Sequence, residues 1–229
     1  MKKLCKVLRV IAIGAVIAVG PAGIPAFAQT GLFFGGELGL GIGFNGLGKD
    51  FKTMKNSAAA MGISLDEKSL LAFGLAGETG YGITDRFAIL SGLSLSFGQG
   101  IELSAAGVSI KATTNFADIP VLVRYLFLNS PLLLGVQGGI HLGIPFGIEV
   151  ESSIPFFSSS KPDADGVVFG MSAGLIAGYP LGPGRIIGDL RFLMDFNPVK
   201  GKLSGQSMEG FTRRNFLIMV GYEYVLRSK

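Results

Sequence analysis

From Gly31 to Phe44 the chain alternates, residue by residue, between two kinds of side chain. Leu32, Phe34, Gly36, Leu38, Leu40, Ile42 and Phe44 fall on one parity, and Gly31, Phe33, Gly35, Glu37, Gly39, Gly41 and Gly43 on the other. A period of two places successive side chains on opposite faces of a strand. One face is therefore greasy, while the other is mostly glycine with a single carboxylate. A chain built this way must present its two faces to two different surroundings.

The pattern recurs along the sequence. Leu71, Phe73, Leu75, Thr79 and Tyr81 alternate with Ala72, Gly74, Ala76, Glu78 and Gly80. Similar runs start near Phe87, Asp118, Leu132, Val167, Arg185 and Asn215, which makes eight predicted strands. Most exceed the usual five or six residues of soluble strands and reach the roughly 9–11 that a tilted transmembrane strand needs. Thr84–Arg86, Asn129–Pro131 and Pro180–Gly184 read as tight turns. Asn45–Ser69, Gly98–Thr113, Gly147–Gly166 and Asn197–Arg214 read as long loops. Short turns at one end and long loops at the other predict an all-β fold, an eight-stranded antiparallel transmembrane β-barrel in an up-and-down meander. A soluble barrel would place its bulky residues inside and polar ones outside. Here the second face is too small and too sparsely charged to meet water, so the apolar face is assigned to lipid.

The first residues set the compartment. Lys2, Lys3, Lys6 and Arg9 precede the apolar run Val10–Gly20, and Ala26-Phe27-Ala28 leads into polar Gln29-Thr30. A basic start, a short apolar run and small residues at −3 and −1 form a secretory signal peptide; the run is too short for a spanning helix. The expected division is a signal peptide over 1–28, cleaved after Ala28, and a barrel over 29–229. Losing the signal's four bases leaves 16 basic residues against 16 acidic ones. Nucleic-acid binding, which needs an excess of bases, is thereby disfavoured. Cys5 leaves with the signal, so no thiol site remains.

Ala117-Asp118-Ile119-Pro120-Val121-Leu122-Val123-Arg124-Tyr125-Leu126-Phe127, followed by Gly135-Val136-Gln137-Gly138-Gly139, resembles bacterial outer-membrane β-barrel domains. These are the small porin-like barrels grouped with the PorT family and, more distantly, the OmpX and OmpA barrels. Tyr81-Gly82-Ile83-Thr84-Asp85-Arg86-Phe87 resembles their periplasmic turn. The resemblance implies location in a Gram-negative cell envelope, with outer-membrane lipids and the barrel-insertion machinery as partners. Tyr222 and Tyr224 suit the last strand, but the chain closes on Arg227-Ser228-Lys229 instead of a terminal aromatic.

Alternation points Glu37, Glu78, Asp118, Asp189, Asp195 and Glu223 inward, together with Arg124, Arg185 and Arg191. Gln137 and the sole histidine, His141, share that face. Buried charges must pair or neutralise. One reading is a closed plug in which Arg124 and Arg191 bridge Glu37, Glu78, Asp189 and Glu223. The other is a narrow cation-preferring channel, since glycine fills no lumen and six acids outnumber three bases. A lipid-modifying enzyme hangs on His141 alone, and a triad needs His held between a nucleophile and an acid. The expectation is a monomeric, non-catalytic structural or surface-interaction protein with no metal or cofactor. Its loops would meet an extracellular or envelope protein. They carry Lys49, Lys52 and Lys55, an Ala-rich Ser57–Met61 that suits a short helix, and apolar Ile154-Pro155-Phe156-Phe157.

Overall fold

A computed structural model describes residues 30–105, 107–153, 160–203 and 206–226. The expected signal peptide, the Ile154–Phe157 patch and Arg227–Lys229 lie outside the described residues. Eight long strands form the wall: β1 (Gly31–Gly43), β2 (Leu71–Gly82), β3 (Phe87–Ala105), β4 (Val108–Asn129), β5 (Leu133–Ser152), β6 (Val168–Leu181), β7 (Gly184–Asp195) and β8 (Arg214–Val225). Each pairs antiparallel with its neighbours in sequence, and β1 also pairs with β8, so the sheet closes on itself. Closure leaves the wall without a free edge, which is what allows strands to cross a membrane.

The two faces separate as the alternation requires. Leu40, Ile42, Leu93, Val121, Ile140, Leu175, Ile218 and Val220 are exposed on the outside, whereas Phe33, Leu90, Leu122 and Leu126 are buried within. Aromatic residues bound the apolar band, and the two bounds differ chemically. All five tyrosines (Tyr81, Tyr125, Tyr179, Tyr222 and Tyr224) sit near the strand ends that carry the short turns. Phenylalanines stand at both ends and mark the loop end without tyrosine, where Phe44 contacts Phe216, Phe97 contacts Phe146 and Phe169 contacts Phe196. Along β1, Phe34 and Phe44 are ten residues apart. At about 3.3 Å per residue and a tilt near 40°, the belts stand about 25 Å apart, close to the apolar height of outer-membrane barrels.

The segment Gly98–Thr113 is not a loop. β3 and β4 run through it, pairing from Gln99–Thr114 up to Ala105–Val108. Its Ser, Thr, Lys and Glu content reads as loop, but above the membrane one face of a sheet meets water and takes polar residues. The departure from the barrel is marked by bulges. Gly98 (φ +73°) and Gly147 (φ +59°) both lie in the left-handed region, where the registers of β3–β4 and β4–β5 shift. The Asn115 side chain accepts the Gly98 backbone N–H at 3.0 Å. A bulge increases local bend and twist, so the upper parts of β3, β4 and β5 form a flap, edged by a short strand at Asp66–Ser69.

The inner face of the flap is apolar. Ile101, Ala112, Phe116 and Ile148 pack with Val168, Val199 and Phe211 into a cap across the mouth. One helix, α1 (Lys49–Ala60), lies against this cap through Phe51. It begins well before the expected Ser57–Met61 segment, and the Asp50 side chain ties it down by accepting the Glu209 backbone N–H at 2.7 Å.

Two arginine substitutions separate wall from flap. Val220→Arg, at mid-wall facing lipid, is expected to cost about 2–4 kcal/mol. Val108→Arg at the flap tip should stay within about 0.5 kcal/mol of the parent. Urea unfolding in lipid vesicles measures both; equal losses would place the flap inside the bilayer.

Candidate functional site in the barrel lumen

Inward positions on all sides of the wall converge on a space that holds side chains and little else. Glu37, Glu78, Arg124, Gln137, His141, Asp189, Arg191 and Glu223 all lie there, none more than 6% exposed. Their charges form three tiers along the barrel axis.

Near the turn end, Arg124 donates from a terminal nitrogen to Glu223 at 2.6 Å, and Arg185 donates from Nε to the other oxygen of Glu223 at 2.5 Å. Both guanidinium groups lie over the Phe33 ring, at 5.5 and 5.4 Å from its centroid. A flat cation against an aromatic face gains from the ring quadrupole, so one ring and one carboxylate hold two like charges together. Around this tier Phe33, Ala88, Leu90, Leu122 and Val225 form one apolar cluster, while Leu126, Leu133, Ile176 and Ile187 form another.

The middle tier centres on Arg191. It donates to Asp189 through both Nε (2.8 Å) and a terminal nitrogen (2.5 Å), and to Glu78 at 2.8 Å. The Glu37 carboxylate stands 3.6 Å away and accepts no hydrogen bond. Gln137 links the tiers, since its amide donates to Asp189 at 2.8 Å and its oxygen accepts from Arg124 Nε at 3.2 Å.

The upper tier contains a base from the expected loop Asn197–Arg214. Arg213 is fully buried and grips Asp118 with two hydrogen bonds, at 2.8 and 2.6 Å. It also donates to Asp195 at 3.1 Å and stacks over Phe116 at 4.0 Å. His141 Nε2 contacts Asp195 Oδ1 at 2.8 Å. The inward bases are thus four arginines rather than three. The signal for Arg213 was present, because Phe211, Arg213 and Asn215 continue the inward parity of β8 back across its start.

The glycines do not open the lumen. A Cβ on Gly80 would collide with the Phe33 ring, one on Gly221 with Glu37, one on Gly170 with His141 and one on Gly143 with Asp118. Each of these glycines lies under a large side chain from a neighbouring strand, so its missing volume is already occupied. Glycine here lets bulky inward groups lie flat against the wall.

Chemically, the arrangement can hold opposite walls together and block passage. Among the described residues, no group of three or more His, Cys, Asp or Glu side chains is disposed to hold a metal ion. Removing one member strands its partners, and breaking a buried pair costs about 3–5 kcal/mol. Arg213→Met should therefore destabilise the barrel by about that amount, through Asp118 and Asp195. Adding Asp118→Leu should recover part of the loss, because the two residues couple directly. Urea unfolding followed by tyrosine fluorescence measures both, and strict additivity of the two losses would contradict the pairing.

No protein-family model matches the chain, and no curated protein matches it. Solved structures resemble its fold. The outer membrane protein OprG from Pseudomonas aeruginosa is 14% identical, with 88% of this chain and 100% of that one covered at a TM-score of 0.53. The outer membrane protein AlkL, determined in lipid bilayers, is 11% identical over 92% of this chain and 96% of its own, with a TM-score of 0.50. At these identities the likeness is one of fold: an eight-stranded barrel of the kind found in outer-membrane proteins.

Proposed function

We propose that the chain is an integral barrel of the bacterial outer membrane that acts through its loop-side surface and catalyses no reaction. The observation that carries this reading is the occluded lumen. Apolar clusters close the turn end, three arginine tiers fill the middle, and the cap around Phe116 and Phe211 closes the mouth. A path for ions would have to break buried pairs at each tier, and each break leaves a charge unpaired in a space of low dielectric.

What faces outward at the loop end is a shaped surface of flap, α1 and connecting segments, suited to contact with an extracellular or envelope protein. The export signal, action as a monomer and dependence on the insertion machinery belong to the same reading. His141 supports catalysis poorly, because its Nε2 is turned to a carboxylate and the ring is buried away from lipid.

In a planar bilayer the refolded chain should give no steady openings, and Glu37→Gln with Glu78→Gln should leave that silence unchanged. Sustained cation-selective conductance that falls in the double variant would overturn the occluded-lumen reading and install the channel in its place. Likewise, His141→Ala should leave the lipid composition of an expressing host unaltered; a changed acyl or headgroup profile would restore the enzyme.

A further inference from the structure

The outer flank of the barrel carries a polar recess directly above the loop-side aromatic belt. Up the lipid-facing side of the β1–β8 seam, Ile42 stands opposite Phe216, Phe44 beside Arg214, and Gly46 opposite Thr212. Phe44 and Phe216 meet edge to face at 5.8 Å, both open to the lipid side. Just above, the first two turns of α1 present Lys49, Lys52, Thr53 and Asn56 on one helical face, spaced i, i+3, i+4 and i+7. With Thr212 and Pro198 they line a cavity of about 380 Å³. Arg214 is exposed on the same outward row as Thr212, two residues along and therefore about 7 Å below it.

Among the described residues, four of the six loop-side lysines outside this recess are paired with carboxylates, Lys68 and Lys200 being the exceptions. Lys55, Lys111, Lys161 and Lys202 each hold a carboxylate within 3.3 Å. Lys49, Lys52 and Arg214 hold none, and the one carboxylate in the lining is Glu209. Lys49 and Lys52 stand in the lining against Glu209, and with Arg214 below and Asp50 beside Glu209 the count is three cations to two acids, which leaves the recess net positive. It sits at the level where an apolar belt gives way to polar surface, which is where the phosphates of membrane lipids lie.

We propose that this recess seats the phosphate of an anionic lipid from the loop-side leaflet. Lys49, Lys52 and Arg214 neutralise the phosphate, while the Asn56 amide and the Thr212 hydroxyl donate to its oxygens. The acyl chains run down over Phe44 and Phe216. A free anion would use the cations alone; a lipid uses the cations and the rings beneath them. The site presupposes the membrane placement proposed above, and heat-dependent gel mobility of the barrel in vesicles reports on insertion independently of the recess.

Native mass spectrometry of the refolded chain, released from detergent holding equal amounts of a bisphosphorylated disaccharide lipid and its dephosphorylated counterpart, tests the proposal. The parent should retain the phosphorylated lipid in preference by at least about tenfold, given the contribution of each basic residue at an anionic surface. Lys49→Gln/Lys52→Gln/Arg214→Gln should abolish the preference, and Lys161→Gln/Lys202→Gln should keep it. If the triple variant fails to fold, Lys49→Gln/Lys52→Gln decides by the same criterion. Equal retention of the two lipids, or an undiminished preference in the variant, would overturn the site. Saturable binding of inorganic phosphate by lipid-free protein, with no preference between the lipids, would assign the recess to a free anion and overturn the lipid reading.

Discussion

Four arginines inside a cylinder barely wider than their side chains govern much of this structure. Backbone hydrogen bonds join each strand only to its immediate neighbours. The arginines reach across: Arg124 on β4 meets Glu223 on β8, Arg213 at the start of β8 meets Asp118 on β4, and Arg191 on β7 meets Glu78 on β2. In an eight-stranded ring β4 and β8 face one another across the lumen, so these pairs tie walls that the ladder leaves unconnected. A buried ion pair is weak evidence of net stability, because desolvation offsets most of the attraction. What it does provide is selectivity among registers. A slip of one residue would turn every inward charge toward lipid and every outward leucine into the lumen.

The apolar parts of the lumen work with that network. Phe33 is a floor for two guanidinium groups as well as part of the turn-end cluster. Phe116 belongs to the mouth cap and also stacks on Arg213. Each end tier is therefore anchored to an apolar layer that excludes water and strengthens the pairing beside it. Occlusion and charge pairing are in this sense one arrangement, since opening either end would hydrate the charges that hold the opposite walls together.

Much of this was legible in the sequence because a barrel wall separates two surroundings, and period-two alternation records that separation residue by residue. Parity alone sent Glu37, Glu78, Arg124, Gln137, His141, Asp189, Arg191 and Glu223 inward. Parity says nothing of register, however, and register decides which inward groups meet. The glycine-lined face suggested open space, yet the space beside Gly80 belongs to Phe33, and only the β1–β2 alignment of Phe33 with Gly80 reveals it. The flap was misread for a related reason. Ile101, Leu103, Ile110 and Ala112 keep the alternation, but above the membrane the outward positions become Glu102, Lys111 and Thr113, which resemble a loop once lipid no longer selects them.

The two aromatic belts follow from how each end of the barrel terminates. At the turn end the strands stop within a few residues of the boundary, so the belt itself must supply polar contact. Tyrosine does this with a ring in the apolar layer and a hydroxyl at the edge, as when Tyr222 donates to the Leu181 carbonyl at 2.9 Å. At the loop end, β3, β4 and β5 continue as the flap, and α1 rises a few residues after Phe44. Polar groups are then delivered from above the boundary by Lys49, Lys52 and Arg214, and the rings need only mark where the apolar layer ends. Phenylalanine suffices there. The difference between the belts is thus the local consequence of placing nearly all of the non-wall polypeptide at one end, which leaves that end as the surface with chemistry to offer.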